Sequence, residues 1–342
     1  MNPFRSFRRV AEAAKEIPKL KEDVKWLRKS VKQLLVTTKA IEAAQTKPLR
    51  EDPPMTREQF LLKGLDKATA VGVEIGPFFS PLAPKADGWK TTTVDFTDQE
   101  GLLNIARNHD QAAIREGQDK IEKVDIVWRD QPLHKECLAL HPEGFDYLIV
   151  SHVLEHMPDI IGFFKEASLL AKPEFILSVA IPDARRCFDY FKPLTNVTNA
   201  LRAHRMKLKM HSPETVFEAN AYCTWKNGHG SWHARSGGVL DLPWAFESAL
   251  DIYRDYVANS EAGTQSYVDA HAWHFTPSSF KLFILELNVL GLIDFKLDAI
   301  EETNESELWA RLVKGKETLS GVDLKNRRLE LLAETRKDLA AR

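Results

Sequence analysis

Cysteine is scarce in this chain, with three in 342 residues, Cys137, Cys187 and Cys223, and no C-x-x-C pair among them. That count leaves no disulfide framework and argues against a structural cysteine–zinc site; it suits a reducing cytoplasm. No apolar run reaches the ~18 residues that a membrane-spanning helix requires. The opening "MNPFRSFRRVAEAAK" has no apolar core of the secretory type, so export by a cleaved signal is not expected. Glycine is thin where nucleotide-binding turns spend it. The first apolar strand meets one glycine, Gly76, without a G-x-G-x-x-G run, and no P-loop lysine follows, which removes the usual cradles for a pyrophosphate.

What is present is unevenly spread. Residues 1–50 hold 13 Lys and Arg against five Asp and Glu, a net of +8, which leaves −10 for residues 51–342 given a total of −2. An acidic body is a poor match for a phosphate backbone, so no nucleic-acid partner is expected. Within the basic segment Ile17, Leu20, Val24, Leu27, Val31, Leu34, Thr38 and Ile41 recur at three- and four-residue steps. This heptad pattern favours a parallel two-stranded coiled coil, and hence a homodimer through residues 17–41. Two other readings stay open: an amphipathic helix docked on its own domain, or peripheral contact with an anionic inner membrane face through Phe4 and Phe7 beside Arg5, Arg8 and Arg9. Residues 46–56, "TKPLREDPPMT", read as a linker.

Beyond the linker, apolar strands predicted at 70–75, 91–95, 122–127, 145–150, 174–180, 292–299 and 307–313 alternate with helical patterns, among them 159–173 and the well-punctuated "TPSSFKLFILELNVLG". Alternation with near-continuous apolar strands implies an α/β fold, a doubly wound, mostly parallel seven-stranded sheet covered on both faces and closed by an antiparallel hairpin. The expected division is a basic helix and linker at 1–50, a main domain at 57–315 and a charged helical tail at 316–342. An inserted cap, 185–275, follows strand five and is rich in His and Trp.

The turn after the first strand reads "VEIGPFFSPLAP". Its prolines make an immediate helix improbable, so a ligand without phosphates but with a ribose fits it better. Asp95, ending the second strand, is placed to accept both ribose hydroxyls. Strand, acid, glycine, then a strand ending in an acid points to S-adenosylmethionine.

"VEIG", "VDF" and "FDYLIVSHVLEHMPD" together resemble the class I S-adenosylmethionine-dependent methyltransferases, of the branch often called methyltransferase type 11. The resemblance spans roughly residues 68–183 and implies a Rossmann-like fold and methyl transfer. It implies that Glu74 faces the methionyl end, that Gly76 and Pro77 lie under the cofactor and that Asp95 holds the ribose. It also implies that Val127 or Trp128 walls the adenine, with Asp130 beside its amine, and that Ser151 and His152 pass along the cofactor. Sequences similar to this one through "IPDARRCFDYF" are associated with surface-glycan assembly, so a sugar or glycan acceptor is the implied class, alongside other small molecules.

A hydroxyl acceptor needs a base, and His or a carboxylate is the usual choice. Candidates fall in three pairs along the chain: His152 with His156, His229 with His233, and His271 with His274, joined by Asp183 after strand five. The last two pairs are expected to overhang the carboxyl edge of the sheet. His152, Glu155 and His156 fall at i, i+3 and i+4, a spacing that suits a metal, but no partner site is evident, so none is expected. Tyr222, Trp225, Trp232, Trp244 and Trp273 offer flat faces for a sugar ring or for core packing. Two rival readings are a methyltransferase-like scaffold without turnover and an NAD-dependent sugar-modifying enzyme, the latter opposed by the turn and by the lack of a Tyr-x-x-x-Lys pair.

Overall fold

The computed structural model describes residues 55–340 with the exception of Asp130. The basic N-terminus, the heptads at 17–41 and the adenine contact expected of Asp130 therefore lie outside the described residues. Seven strands, β1 (Val71–Ile75), β2 (Lys90–Asp95), β3 (Ile126–Val127), β4 (Phe145–Ser151), β5 (Ala171–Pro182), β6 (Phe295–Glu302) and β7 (Glu307–Lys314), form one sheet in the order β3-β2-β1-β4-β5-β7-β6. The first five pair in parallel, and β7 runs antiparallel between β5 and β6. This is the Rossmann-like, doubly wound topology expected.

Side chains alternate along the strands and give the sheet two unlike faces. Val73, Ile75, Leu148, Val150, Leu177 and Val179 pack against Phe163 and Phe164 of α5 (Ile160–Leu170) and Phe280 and Phe283 of α9 (Pro277–Val289). At ~1.5–3 kcal/mol for each large apolar side chain removed from water, this thick layer is the main source of stability. The opposite face is thinner. There Tyr147, Ile149 and Ala180 meet Phe60 and Leu61 of α1 (Arg57–Leu61) and the loop residues Leu82 and Ala83. Gly72 of β1 is required on that face, because a Cβ there would stand 2.1 Å from the Tyr147 ring. Tyr147 in turn shares a 2.7 Å hydrogen bond with Thr91, whose hydroxyl donates to the Ala83 carbonyl at 2.6 Å.

α9 begins and ends where its sequence says. Thr276 caps the start by accepting from the Ser279 N–H, and Gly291 (φ +69°) closes the end. There the Leu292 N–H reaches the Leu287 carbonyl at 2.9 Å, and that of Gly291 reaches Asn288 at 2.9 Å. This closure consumes residues 291–292, so β6 starts at Phe295 rather than at 292. β3 is cut to two residues for a different reason. Glu122 accepts the N–H groups of Lys85 and Ala86 in a neighbouring loop, and the Asp125 side chain takes the Thr93 N–H of β2 in place of a backbone carbonyl. α5 ends at Leu170, and Pro173 lies inside β5 instead of stopping the helix.

α2 (Gln99–Arg107), α3 (Ala112–Glu116) and α4 (Leu133–Leu140) lie in the connections that follow β2 and β3. Between Pro182 and α9 the chain forms the cap, with α6 (Val197–Met206), α7 (Pro213–Ala221), α8 (Phe246–Glu261) and a short ribbon pairing Trp225–Lys226 with Leu240–Asp241. The tail helix, α10 (Gly321–Ala340), is docked on α9: Arg328 pairs with Glu286 at 2.7 Å, and Asp338 accepts the Ser278 N–H at 3.1 Å.

Candidate active site

Connections leave the sheet in opposite directions on either side of β1 and β4, and a cleft of about 610 Å³ opens there at the carboxyl ends of the strands. Each strand end supplies one wall. Gly76 follows β1, Asp95 ends β2, Trp128 follows β3, and His152 and His156 follow β4. The cap closes the opposite side with Tyr267 and Asp269, and Phe78, Phe96 and Met157 complete an apolar lining.

Gly76 makes the turn with φ +63°, and a Cβ there would come within 3.1 Å of Val153. Left-handed backbone and close approach both call for glycine. No helix follows: the chain loops to a single 3₁₀ turn at Lys85–Asp87, as the prolines predict. That loop is held from below by Glu74. Its carboxylate, 1% exposed, accepts the N–H groups of Leu82 at 2.8 Å and Ala83 at 3.1 Å. Glu74 thus points to the thin face and braces the floor of the cleft rather than lining it. Burial raises its carboxyl to about 7, and the two N–H bonds pull the other way.

Asp95 has one oxygen committed and one open. Oδ1 accepts the Phe96 N–H at 2.8 Å; Oδ2 is buried and accepts nothing. Burial raises this carboxyl to about 6. Trp128, not Val127, supplies the apolar wall, its indole N–H tied to the Gln131 carbonyl at 2.9 Å. Val127 is exposed, and Pro77 lies beside the turn without lining the cleft. Ser151 is turned away toward α1, where Arg57 donates to its hydroxyl.

After β4 the chain makes a 3₁₀ turn, Leu154–His156, entered by His152 at φ +54°. The His152 ring bridges Glu307 at 2.7 Å and Glu155 at 3.4 Å. Burial opposes its charge, but the two carboxylates outweigh it and raise the imidazole to about 9. The two carboxylates thus favour the charged form of His152, which suits it poorly to act as a general base. The Nδ1–H of His156 donates to the Asp269 carboxylate, 2.8 Å away. Burial opposes its charge as well, and the Asp269 and Glu155 carboxylates raise it on balance.

The histidine pairs read along the chain are not the pairs formed in space. His156 meets His271, ring centroids 4.6 Å apart. His271 is buried and held through Nδ1 by Asp189 at 2.6 Å, and Asp189 is also paired with the buried Lys192 at 2.7 Å. His274 is sealed away between the carbonyls of Pro193 and His271, and burial lowers it to about 4. His229 and His233 sit on a loop that crosses the β6–β7 turn, with the Ala234 N–H on the Asn304 carbonyl at 2.7 Å, and neither lines the cleft. Asp183 is buried against Arg185 at 2.6 Å and serves the junction of cap and sheet. The expected roles of His229, His233, His274 and Asp183 at the acceptor are thus corrected by position.

Sequence reasoning missed Tyr267, Asp269 and Glu307. Asp269 stands two residues before His271 in "DAHAWH" and was legible as a carboxylate beside a histidine. Glu307 was not, since 155 residues separate it from His152. The cap's aromatics mostly pair with one another, Trp225 with Trp244 and Tyr190 with Trp232, instead of facing the cleft.

No protein-family model and no curated protein matches the chain. Solved structures resemble it distantly. The CcbJ methyltransferase of Streptomyces caelestis is 11% identical over 78% of this chain and 100% of its own, with a TM-score of 0.37. An assigned S-adenosylmethionine-dependent methyltransferase of Listeria monocytogenes is 11% identical over 76% of this chain and 98% of its own, with a TM-score of 0.36. An assigned zinc-dependent alcohol dehydrogenase of Rhodobacter sphaeroides is 11% identical over 78% and 90%, at 0.38. Likenesses of this degree do not decide the chemistry, which rests on the cleft itself.

Proposed function

We propose that the chain is an enzyme that transfers a methyl group from S-adenosylmethionine to an oxygen or nitrogen acceptor. The observation that carries this reading is Asp95 Oδ2, a buried carboxylate oxygen at the wall of a cleft with no partner of its own. Such an atom is costly unless a ligand donates to it. A ribose hydroxyl opposite Gly76, with adenine against Trp128, meets that requirement. The prolines after Gly76 give no helix N-terminus for a pyrophosphate, which disfavours a dinucleotide.

When bound, S-adenosylmethionine supplies an electrophilic methyl group. The chain's own residues do the rest. Asp95 and Gly76 fix the nucleoside end, and the apolar lining keeps water from the reactive end. His156, Tyr267 and Asp269 form the polar wall that would meet the acceptor. Alignment of the two partners accounts for most of the acceleration in such a displacement. A sugar or glycan intermediate is the acceptor class favoured by the sequence resemblance, and an oxygen nucleophile suits this wall best.

Calorimetry tests the reading. S-adenosylmethionine and S-adenosylhomocysteine are expected to bind and NAD not to. Asp95→Ala should lose a charge-assisted interaction of ~1.5–3 kcal/mol, a weakening of tenfold or more. An unchanged affinity in that variant would falsify the assignment.

A further inference from the structure

Glu155, His156 and His271 converge where the cap crosses the turn after β4. One donor atom from each lies within 4.8 Å of the other two, the only such group of three among the described residues. Glu155 is 1% exposed, yet neither of its oxygens accepts a hydrogen bond. The closest nitrogens, His152 Nδ1 at 3.4 Å and His156 Nε2 at 3.9 Å, stand off from Oε1. The half-exposed His152 ring is thus the nearest cationic partner, and it makes no hydrogen bond to this carboxylate; a buried carboxylate that accepts none on either oxygen remains expensive unless a closer donor or cation completes it.

The two imidazoles are already oriented for one. Each commits Nδ1 to a carboxylate, His156 to Asp269 at 2.8 Å and His271 to Asp189 at 2.6 Å. Each Nε2 is left out of that pairing. Carboxylate-backed histidines of this kind are the usual outer support of a metal centre, because the carboxylate fixes the tautomer and raises the basicity of the other nitrogen. Lys192 at 2.7 Å from Asp189 anchors one support inside the cap, while the other, Asp269, lies at the cleft.

We propose that Glu155, His156 and His271 bind one divalent transition-metal ion, which faces the cleft beside His156. Two imidazoles and a carboxylate suit zinc, iron(II), manganese(II) or cobalt(II) rather than magnesium or calcium. Three protein ligands leave positions open toward the cleft. Bonds of ~2.0–2.2 Å require the donor atoms to close in by about an ångström, a movement the 3₁₀ turn and the cap can share. An oxygen of the acceptor would occupy an open position, which makes His156 a ligand rather than a base. That role rests on the proposed function; the ion site does not.

The experiment is a calorimetric titration of the full chain, stripped with chelator, by ZnCl₂, MnCl₂ and CoCl₂ in turn. One saturating site per chain is expected for at least one of these ions, with visible absorption bands from bound cobalt. Glu155→Gln and His271→Ala should weaken binding more than the ~10–100-fold expected of Asp269→Asn, which removes only an outer support. No saturable binding of any of the three ions overturns the proposal, as does undiminished affinity in both ligand variants. Should those variants not fold, Asp269→Asn decides, and unchanged affinity there counts against the site. S-adenosylmethionine titrated into the stripped protein separates the two readings: an ion site without cofactor binding removes only the proposed function, and the reverse removes only the ion.

Discussion

Glu74 and Asp95 are both buried acids at strand ends, and their different duties show where residue-level reading succeeds and fails. The sequence places both at the carboxyl edge of the sheet. Which face a strand-end side chain takes depends on register and on what packs beneath it, and the loop that Glu74 holds is not visible in its neighbours. Asp95 keeps its expected place because β2 ends there and no loop folds back to satisfy Oδ2. A pH experiment distinguishes the bracing role of Glu74. Its folded value of about 7 lies above the 4.5 of an ordinary glutamate, so the folded state holds a proton that the unfolded chain releases. The resulting stabilisation is complete below pH 4.5 and shrinks as pH rises through 7. Glu74→Gln removes this slope and sets an amide NH₂ against one of two buried N–H groups, at a cost of ~1–3 kcal/mol. Urea denaturation at pH 5 and 7.5 should show the wild type losing more stability than the variant between the two values. Parallel losses would mean that the carboxyl is not protonated in the fold.

At the scale of elements, the strands were legible wherever apolar runs are buried on both faces, as in "YLIV" of β4 and "FILSVAI" of β5. β3 is shorter than its sequence suggests because the Glu122 carboxylate holds the loop at 85–86 and the Asp125 side chain replaces a backbone carbonyl toward β2, uses of side chains that periodicity does not register. The cap was recognised as an interruption, but the residues of it that reach the cleft are Tyr267 and Asp269 and not those of the glycine-rich loop at 227–238. His229→Ala and His233→Ala should therefore leave turnover within about twofold, whereas loss of a working acid–base group costs ~10²–10⁴. Steady-state rates with an identified acceptor check this, and a hundredfold loss in either variant would return that loop to the active site. α10 was read as a tail, yet Asp338 ties it to the first turn of α9 and to Arg185 at 3.4 Å. Asp338→Ala gives up a charge at a helix N-terminus and one accepted N–H, worth about 1 kcal/mol. Thermal denaturation should register a fall of ~2–4 °C; no change would show that α10 rests on its apolar contacts alone.

For the whole molecule, the separation of charge is the feature that the described fold does not use. A body of net −10 follows a segment of net +8, and among the described residues no helix is long and apolar enough to cross a membrane. The heptads at 17–41 supply an apolar seam of about three and a half repeats, with β-branched residues at one core position and mostly leucine at the other, the combination that favours parallel pairs. Self-association also removes that seam from water without asking the acidic body to change. We therefore expect the full chain to be a dimer at micromolar concentration and a chain starting at residue 46 to scatter light with half its mass, while both bind S-adenosylmethionine equally. Electrostatic docking onto the acidic body predicts instead a full-length monomer whose stability falls with added salt, since exposed charge pairs are screened within ~10 Å at 0.1 M. Membrane contact predicts a monomer that sediments with vesicles rich in anionic lipid and is released by salt. Either result would overturn the dimer, and the mass of the full chain in solution is the first measurement to make.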